Sequence, residues 1–271
     1  MPPLLRRLFR LPLVLGLALA GILIELLAFP LIAPRTRRRI VRQWSRALLS
    51  VCGLQLRIQW SDQAAGPSLE ELAAGRMLVS NHVSWLDIFA IDALATASFV
   101  AKAELRRWPV AGWLAAMAGT VFIERGRRHA VHQVIGQLRR RIREGCPVAL
   151  FPEATTSPGE SVLPFHANLL EAAIEEAAEI VPIALRYQDT SGSLAAQAAY
   201  VGDTTFLQSL WMVLGARGLV VTVKVLRPVP TRGRKRHELS AELRGLINAG
   251  LGSQTPRTGP GTAAVIRAAS H

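Results

Sequence analysis

Two cysteines, Cys52 and Cys146, are all that the 271 residues contain, and no histidine stands near either at metal-ligand spacing. That excludes a disulfide framework, and both thiols read as reduced, apolar packing residues on the cytosolic side. The chain also lacks a His-Glu-x-x-His helix and a Gly-x-Ser-x-Gly turn, so neither a zincin site nor a serine-hydrolase elbow is on offer. Acidic residues are scarce, 19 against 32 Lys and Arg for a net charge of +13. No helix-turn-helix, RNA-binding or zinc-finger pattern accompanies that charge, which argues against nucleic acid as the partner. No internal repeat is present.

Long apolar runs are equally few. The 23 residues from 11 to 33 form one, broken only by Glu25, and about 20 residues suffice to cross a bilayer. Arg6, Arg7 and Arg10 precede it; Arg35, Arg37, Arg38, Arg39 and Arg42 follow it. A spanning helix with this bias leaves the rest of the chain in the cytoplasm, whereas Glu25, Pro30 and Pro34 also permit a helix lying in one leaflet. Ala18-Leu-Ala20 has the form of a secretory cleavage site, but the run continues past it into five arginines, which favours an anchor. Mean hydropathy of +0.27 is high for a soluble protein and low for a multi-spanning one, in keeping with attachment at one end. Charge lies in blocks: residues 101 to 143 carry ten Lys and Arg against two acids, and 153 to 203 carry eight acids against Arg186. Basic faces of this kind meet anionic lipid head groups or nucleic acid.

Periodicity predicts an amphipathic helix over 36 to 52 lying along a membrane surface, a strand over 54 to 60, and a loop or helix over 62 to 75. Strands follow at 77 to 79, 99 to 102, 121 to 123, 148 to 151, 181 to 185 and 219 to 226. Helices are expected at 88 to 94, 108 to 117, 129 to 143 and 169 to 178, with Gly145 as a stop. The stretch 205 to 214 is an apolar helical stripe that either packs in the core, lines an acyl chain or touches membrane. Arg232 to Arg236 reads as a solvated or lipid-facing run. Strand, loop and helix in repetition predict an α/β fold with a mixed central sheet flanked by helices, plus an N-terminal membrane-associated helical segment. The expected divisions are 1–60 for the membrane anchor and amphipathic helix, 61–250 for the catalytic domain and 251–271 for a disordered tail.

Three loops that follow strands hold the candidate chemistry. In Asn81-His82-Val-Ser-Trp-Leu-Asp87 the His and Asp would be about 140° apart on an uninterrupted helix, so they converge only if His82 precedes the first turn. Asp87 then orients one imidazole nitrogen while the other takes a hydroxyl proton; alternatively Asp87 closes a capping box with Ser84 as N-cap. Phe151-Pro-Glu153-Ala-Thr155-Thr156-Ser157 presents either a carboxylate and small hydroxyls to a polar substrate or an ordinary turn. Phe122-Ile-Glu-Arg125-Gly-Arg-Arg128 offers either an anion-binding arginine or a solvated basic loop.

Together with Lys102-Ala-Glu-Leu105 and Val181-Pro-Ile183, these segments, in this order, resemble the glycerolipid acyltransferase family that includes 1-acylglycerol-3-phosphate acyltransferases. The family's blocks are Asn-His-x-Ser-x-x-Asp, Phe-Ile-x-Arg, Phe-Pro-Glu-Gly-Thr-Arg-Ser and Val-Pro-Ile, and the resemblance covers about residues 75 to 230. It implies that His82 is the general base and Asp87 its partner. Lys102, Arg125, Glu153, Thr155, Thr156 and Ser157 become acceptor-binding residues. It also implies acyl-CoA or acyl carrier protein as donor, a lysolipid as acceptor and membrane lipids as surroundings. No metal or further cofactor is implied, and the catalytic domain is placed on the cytoplasmic face of a bacterial inner membrane. Two positions depart from the pattern: Ala154 replaces Gly and Thr156 replaces Arg, removing a charge from the head-group side. The leading acceptor is 1-acylglycerol-3-phosphate, giving phosphatidic acid; a lyso-ornithine lipid is the alternative. From a different class, a basic non-catalytic protein of membranes or nucleic acid is the rival reading.

Overall fold

The structure, a computed structural model, describes residues 1–61, 68–107, 112, 115, 119–123, 128–252 and 264–266. A helix α1 (Pro3–Leu27) begins with Pro at its first turn, where a missing N–H costs nothing, and Pro34 opens α2 (Pro34–Val51) in the same way. The two helices fold back on each other. Trp44 of α2 donates Nε1–H to the Leu17 carbonyl at 2.9 Å. Gly21 permits this approach, because a β-carbon there would lie 2.9 Å from the indole nitrogen.

Eight strands form one sheet in the order β4-β3-β5-β2-β6-β7-β1-β8: β1 (Leu54–Trp60), β2 (Met77–Ser80), β3 (Ser98–Lys102), β4 (Val121–Ile123), β5 (Val148–Leu150), β6 (Ile180–Gln188), β7 (Leu219–Val225) and β8 (Ala264–Ile266). From β4 to β6 every pairing is parallel; β7 runs antiparallel to β6, β1 parallel to β7, and β8 antiparallel to β1. The inner strands β2 and β5 are buried at every position, as strands covered on both faces must be. The remaining helices are α3 (Leu69–Ala73), α4 (Leu86–Asp92), α5 (Arg128–Arg143), α6 (Glu171–Glu175), α7 (Phe206–Gly215) and α8 (Arg236–Gly252).

Two apolar layers sandwich the sheet. One joins α2 (Leu48, Leu49), α4 (Leu86, Ala90, Ile91) and α7 (Val213, Leu214), with α1 on their outside through Val14. The other joins α5 (Val134, Leu138, Ile142) to α8 (Leu239, Leu243, Ile247). The fold is therefore the mixed α/β sheet flanked by helices that the sequence predicts.

Several boundaries move. β1 pairs with β7 along its whole length. Residues 264–266 pair with β1 as β8 at the sheet edge. β6 extends to Gln188 because β7 supplies an antiparallel partner through Gln188↔Val220. The helix expected over 169 to 178 shortens to α6 after a 3-10 turn at Ala167–Leu170. α8 was not anticipated, although Leu239, Leu243, Ile247 and Leu251 recur every four residues on its buried side. The helix expected over 108 to 117 lies almost wholly outside the described residues. α2 forms where the amphipathic helix is expected. It packs between α1 and the domain, with Arg46 donating to the Ala93 carbonyl at 2.8 Å and Arg42 paired with Glu70.

Candidate active site

The carboxyl ends of parallel strands converge where β2 runs into Asn81-His82 and its neighbour β5 runs into Phe151-Pro152-Glu153, the usual place for a ligand in an open α/β sheet. Asn81 ties the turn to the next strand: its Nδ2 donates to the Leu185 carbonyl at 2.9 Å, and the Leu185 N–H returns to Oδ1 at 2.7 Å.

His82 precedes the helix, so the five-residue spacing closes. Its Nδ1 lies 2.7 Å from Asp87 Oδ2, the same oxygen that accepts the backbone N–H groups of Val83 at 2.7 Å and Ser84 at 2.9 Å. The other oxygen, Oδ1, accepts the Tyr187 hydroxyl at 2.7 Å. A carboxylate met by four donors is an acceptor, so the Nδ1 proton points at Asp87 and Nε2 keeps the lone pair of a base. The two sequence readings of Asp87 prove compatible, because it orients the imidazole and satisfies helix-start N–H groups together. Ser84, however, is not the cap: Trp85 is the N-cap residue of α4, and the Ser84 hydroxyl is buried without a partner.

Asp87 is wholly buried while the His82 side chain keeps 20% of its surface open, so the imidazole is reachable and the carboxylate is not. The imidazole lies flat on Phe151, with ring centroids 4.2 Å apart and planes 12° apart, and Phe99 extends the stack at 5.8 Å. Rotation of the ring is restrained by the bond to Asp87 on one edge and by Phe151 across its face.

The Glu153 loop packs against the His82 turn. Glu153 is 3% exposed; Oε1 accepts the His82 backbone N–H at 2.7 Å and Oε2 the Leu163 N–H at 2.9 Å. Burial raises its pKa, and those two N–H bonds oppose the shift. Both carboxylate oxygens are occupied within the protein, and Glu153 braces the backbone of the candidate base. Ser157, also buried, donates its N–H at 2.8 Å and its hydroxyl at 3.3 Å to the His82 carbonyl. Thr156 donates its hydroxyl to the Tyr200 carbonyl, and the Tyr200 N–H reaches the Val83 carbonyl at 2.9 Å, so one residue staples both loops. Thr155 is exposed on the same loop. Ala154 has φ of 57°, a left-handed conformation that glycine adopts freely, which accounts for Gly at that position in the resembled pattern. Gly159, at φ 84°, passes Val83 where a β-carbon would sit 3.0 Å from Cγ2.

Lys102 is exposed at the carboxyl end of β3, on the same sheet edge. Arg125 lies outside the described residues. Among the described residues no group of three or more His, Cys, Asp or Glu is placed to hold a metal ion. Sequence reasoning missed Tyr187 and Phe151. Tyr187 is 100 residues from its partner; its only local signal is its inward parity on an extended β6.

A family profile described as Acyltransferase matches residues 67–186. The lyso-ornithine lipid O-acyltransferase of Pseudomonas aeruginosa is 36% identical over 217 residues, covering 79% of this chain and 79% of that protein. The 1-acyl-sn-glycerol-3-phosphate acyltransferase of Neisseria meningitidis is 36% identical over 190 residues, covering 70% and 71%. The crystal structure of the 1-acyl-sn-glycerophosphate acyltransferase of Thermotoga maritima superposes with a TM-score of 0.64 over 94% of this chain and 99% of that one; at 21% identity it shows the shared fold.

Proposed function

Since the chain belongs to the acyltransferase family, we propose that it moves a fatty acyl group from a thioester donor to the free hydroxyl of a lysolipid, with His82 as general base. The observation that carries this reading is the 2.7 Å contact of His82 Nδ1 with a buried Asp87 that has no other role than to accept. Nε2 takes the hydroxyl proton as the oxygen attacks the thioester carbonyl. The tetrahedral intermediate expels the thiolate, which recovers the proton from the imidazolium, so no bond to the enzyme forms. The Asp87 charge stabilises the imidazolium while it exists, and proton transfer of this kind is worth roughly 10²–10⁴ in rate. The donor is acyl-CoA or acyl carrier protein, and no further cofactor takes part.

Of the two acceptors, lyso-ornithine lipid is favoured by Thr156. A phosphate acceptor calls for a cation at this position, and here an uncharged hydroxyl is tied to the Tyr200 carbonyl. The reading with 1-acylglycerol-3-phosphate rests on relatives such as the Neisseria meningitidis enzyme and on the basic loop around Arg125.

The reaction takes place at a membrane, with the domain on the cytoplasmic face of a bacterial inner membrane. The 29-residue stretch Pro3–Leu31 contains an 18-residue window that reaches a mean hydropathy of 2.4, with only 6% of that window buried. Its arginines support a helix lying in one leaflet rather than crossing: Arg6 and Arg10 donate to the Gly215, Leu214 and Ala216 carbonyls at 2.6–3.0 Å, while Trp44 holds Leu17 farther along. Both halves of α1 are thus fastened to the domain.

The test is transfer of labelled acyl groups from acyl-CoA and from acyl carrier protein to lyso-ornithine lipid and, in parallel, to 1-acylglycerol-3-phosphate. Wild type is compared with His82→Ala. His82-dependent product from lyso-ornithine lipid alone is expected. Product from the phosphate acceptor alone overturns the assignment of the head group, and turnover retained by His82→Ala overturns the mechanism.

A further inference from the structure

The large hydrophobic side chains that stand exposed among the described residues fall almost entirely on residues 1–31. Three lie elsewhere: Leu207 at 75% exposure, Trp211 at 43% and Leu246 at 39%. Leu246 is on α8, on the far face of the sheet, and stands alone there. Leu207 and Trp211 are one helical turn apart on α7, which packs directly against α1. We propose that α7 is a second membrane-contacting element, with Leu207 and Trp211 entering the lipid interface beside the outer face of α1. The proposal rests on the membrane reading above and adds a surface far from the N-terminus in sequence.

Three observations carry it. First, exposed apolar side chains stand on two helices that pack against each other. α1 turns Leu4, Leu8, Leu15, Leu19 and Leu23 outward while its opposite side packs on the domain, and α7 adjoins its first half. Isolated exposed leucines are ordinary, but a group of exposed apolar side chains on two adjoining helices marks an interaction site. Second, the chemistry at the seam is that of a bilayer boundary. The Arg7 guanidinium stands 4.7 Å over the Trp211 ring and Nε donates to the Trp211 carbonyl at 3.0 Å. An indole beside a cation occupies the head-group level, where the ring sits among carbonyl esters and the charge meets phosphate. Third, α7 is tied to the candidate catalytic turn. Trp85, three residues after His82, donates Nε1–H to the Ser209 hydroxyl at 3.1 Å, and its ring meets Phe206 edge-on at 5.3 Å. A helix seated at the interface therefore holds the His82 turn at a fixed depth, where a lysolipid hydroxyl lies at the bilayer surface.

The test is co-sedimentation of the purified full chain with vesicles of mixed phosphatidylethanolamine and phosphatidylglycerol. Wild type, the double variant Leu207→Gln/Trp211→Gln and the control Leu246→Gln are compared. Glutamine keeps helix propensity and leaves the Arg7 bond to the residue 211 carbonyl intact. Losing the burial of two such side chains weakens partitioning by about tenfold or more, while the control partitions as wild type does. Thermal unfolding of the double variant close to that of wild type separates this loss from misfolding. Equal binding by the double variant, with wild type bound, overturns the proposal and leaves the membrane reading standing. Wild type failing to bind at all overturns the membrane reading itself. A dimer in wild type that becomes a monomer in the double variant assigns the face to a second copy of the chain and overturns the lipid assignment.

Discussion

Asp87 and Asp92 stand at opposite ends of α4, with 0% and 2% of their surface exposed, and their surroundings differ completely. Asp87, in the first turn, collects two backbone N–H groups, the His82 imidazole and the Tyr187 hydroxyl. Asp92, at the last residue, receives the Ala97 N–H at 3.0 Å, and burial pushes its pKa up to about 8. A helix start presents N–H groups and a helix end presents carbonyls, so the same side chain finds donors at one end and few at the other. Glu153, with two N–H donors, falls between them. Burial alone does not define what a carboxyl group does; the donors aimed at it decide.

Substitutions that change donor number test this. Asp87→Asn has the largest expected effect: an amide group meeting four donors reverses the hydrogen bond to His82, and kcat should fall by about 10³–10⁴-fold. A variant within tenfold of wild type would remove Asp87 from the mechanism. Glu153→Gln leaves one backbone N–H facing an amide NH₂. A stability loss of about 1–3 kcal/mol by chemical denaturation, with kcat lowered about tenfold, is expected as the His82 backbone loosens. Unchanged stability would show that the two N–H bonds contribute little. Tyr187→Phe takes one donor from Asp87. The hold on the imidazole loosens, so kcat should drop about fivefold at constant KM. A change in KM alone would assign Tyr187 to substrate binding instead.

The smallest catalytic effect belongs to Asp92→Asn, which leaves kcat unchanged and alters the pH dependence of stability. Folding raises this carboxyl group from its ordinary 3.8 to about 8. Its contribution is therefore fully present below about pH 4 and is lost as pH rises through about 8, because the unfolded chain ionises first. The asparagine variant should gain in Tm relative to wild type across that window, by several degrees at its alkaline end. A constant difference in Tm from acid to alkaline pH would refute the assignment.

Much of the architecture was legible before any coordinates. The stripe Val131, Val134, Ile135, Leu138, Ile142 predicted α5 nearly to the residue, and β1, β2 and β4 fell where alternation or continuous apolar runs placed them. α8 was hidden by the basic run of residues 232 to 236 just before it, which drew attention to charge and away from four buried positions. The bonds of Glu153 and Ser157 to the His82 backbone were not legible, for a different reason. Loop residues with hydroxyl and carboxyl groups look alike whether they face a ligand or a backbone, and only their exposure separates the two.

What the sequence determined by itself is local: the strand and helix order, the motifs behind successive strands, and the closeness of His82 and Asp87, which follows from a turn five residues long. What the tertiary structure alone decided is the company those residues keep. Tyr187 reaches Asp87 across 100 residues because β6 was placed beside β2, Phe151 stacks on His82 because β5 flanks the other side, and Arg7 meets Trp211 because α1 docks on α7. Near-neighbour geometry is written in backbone dihedrals and periodicity. Contacts between distant segments exist only after the sheet order is chosen, and that order is set by the burial of whole faces rather than by any one residue.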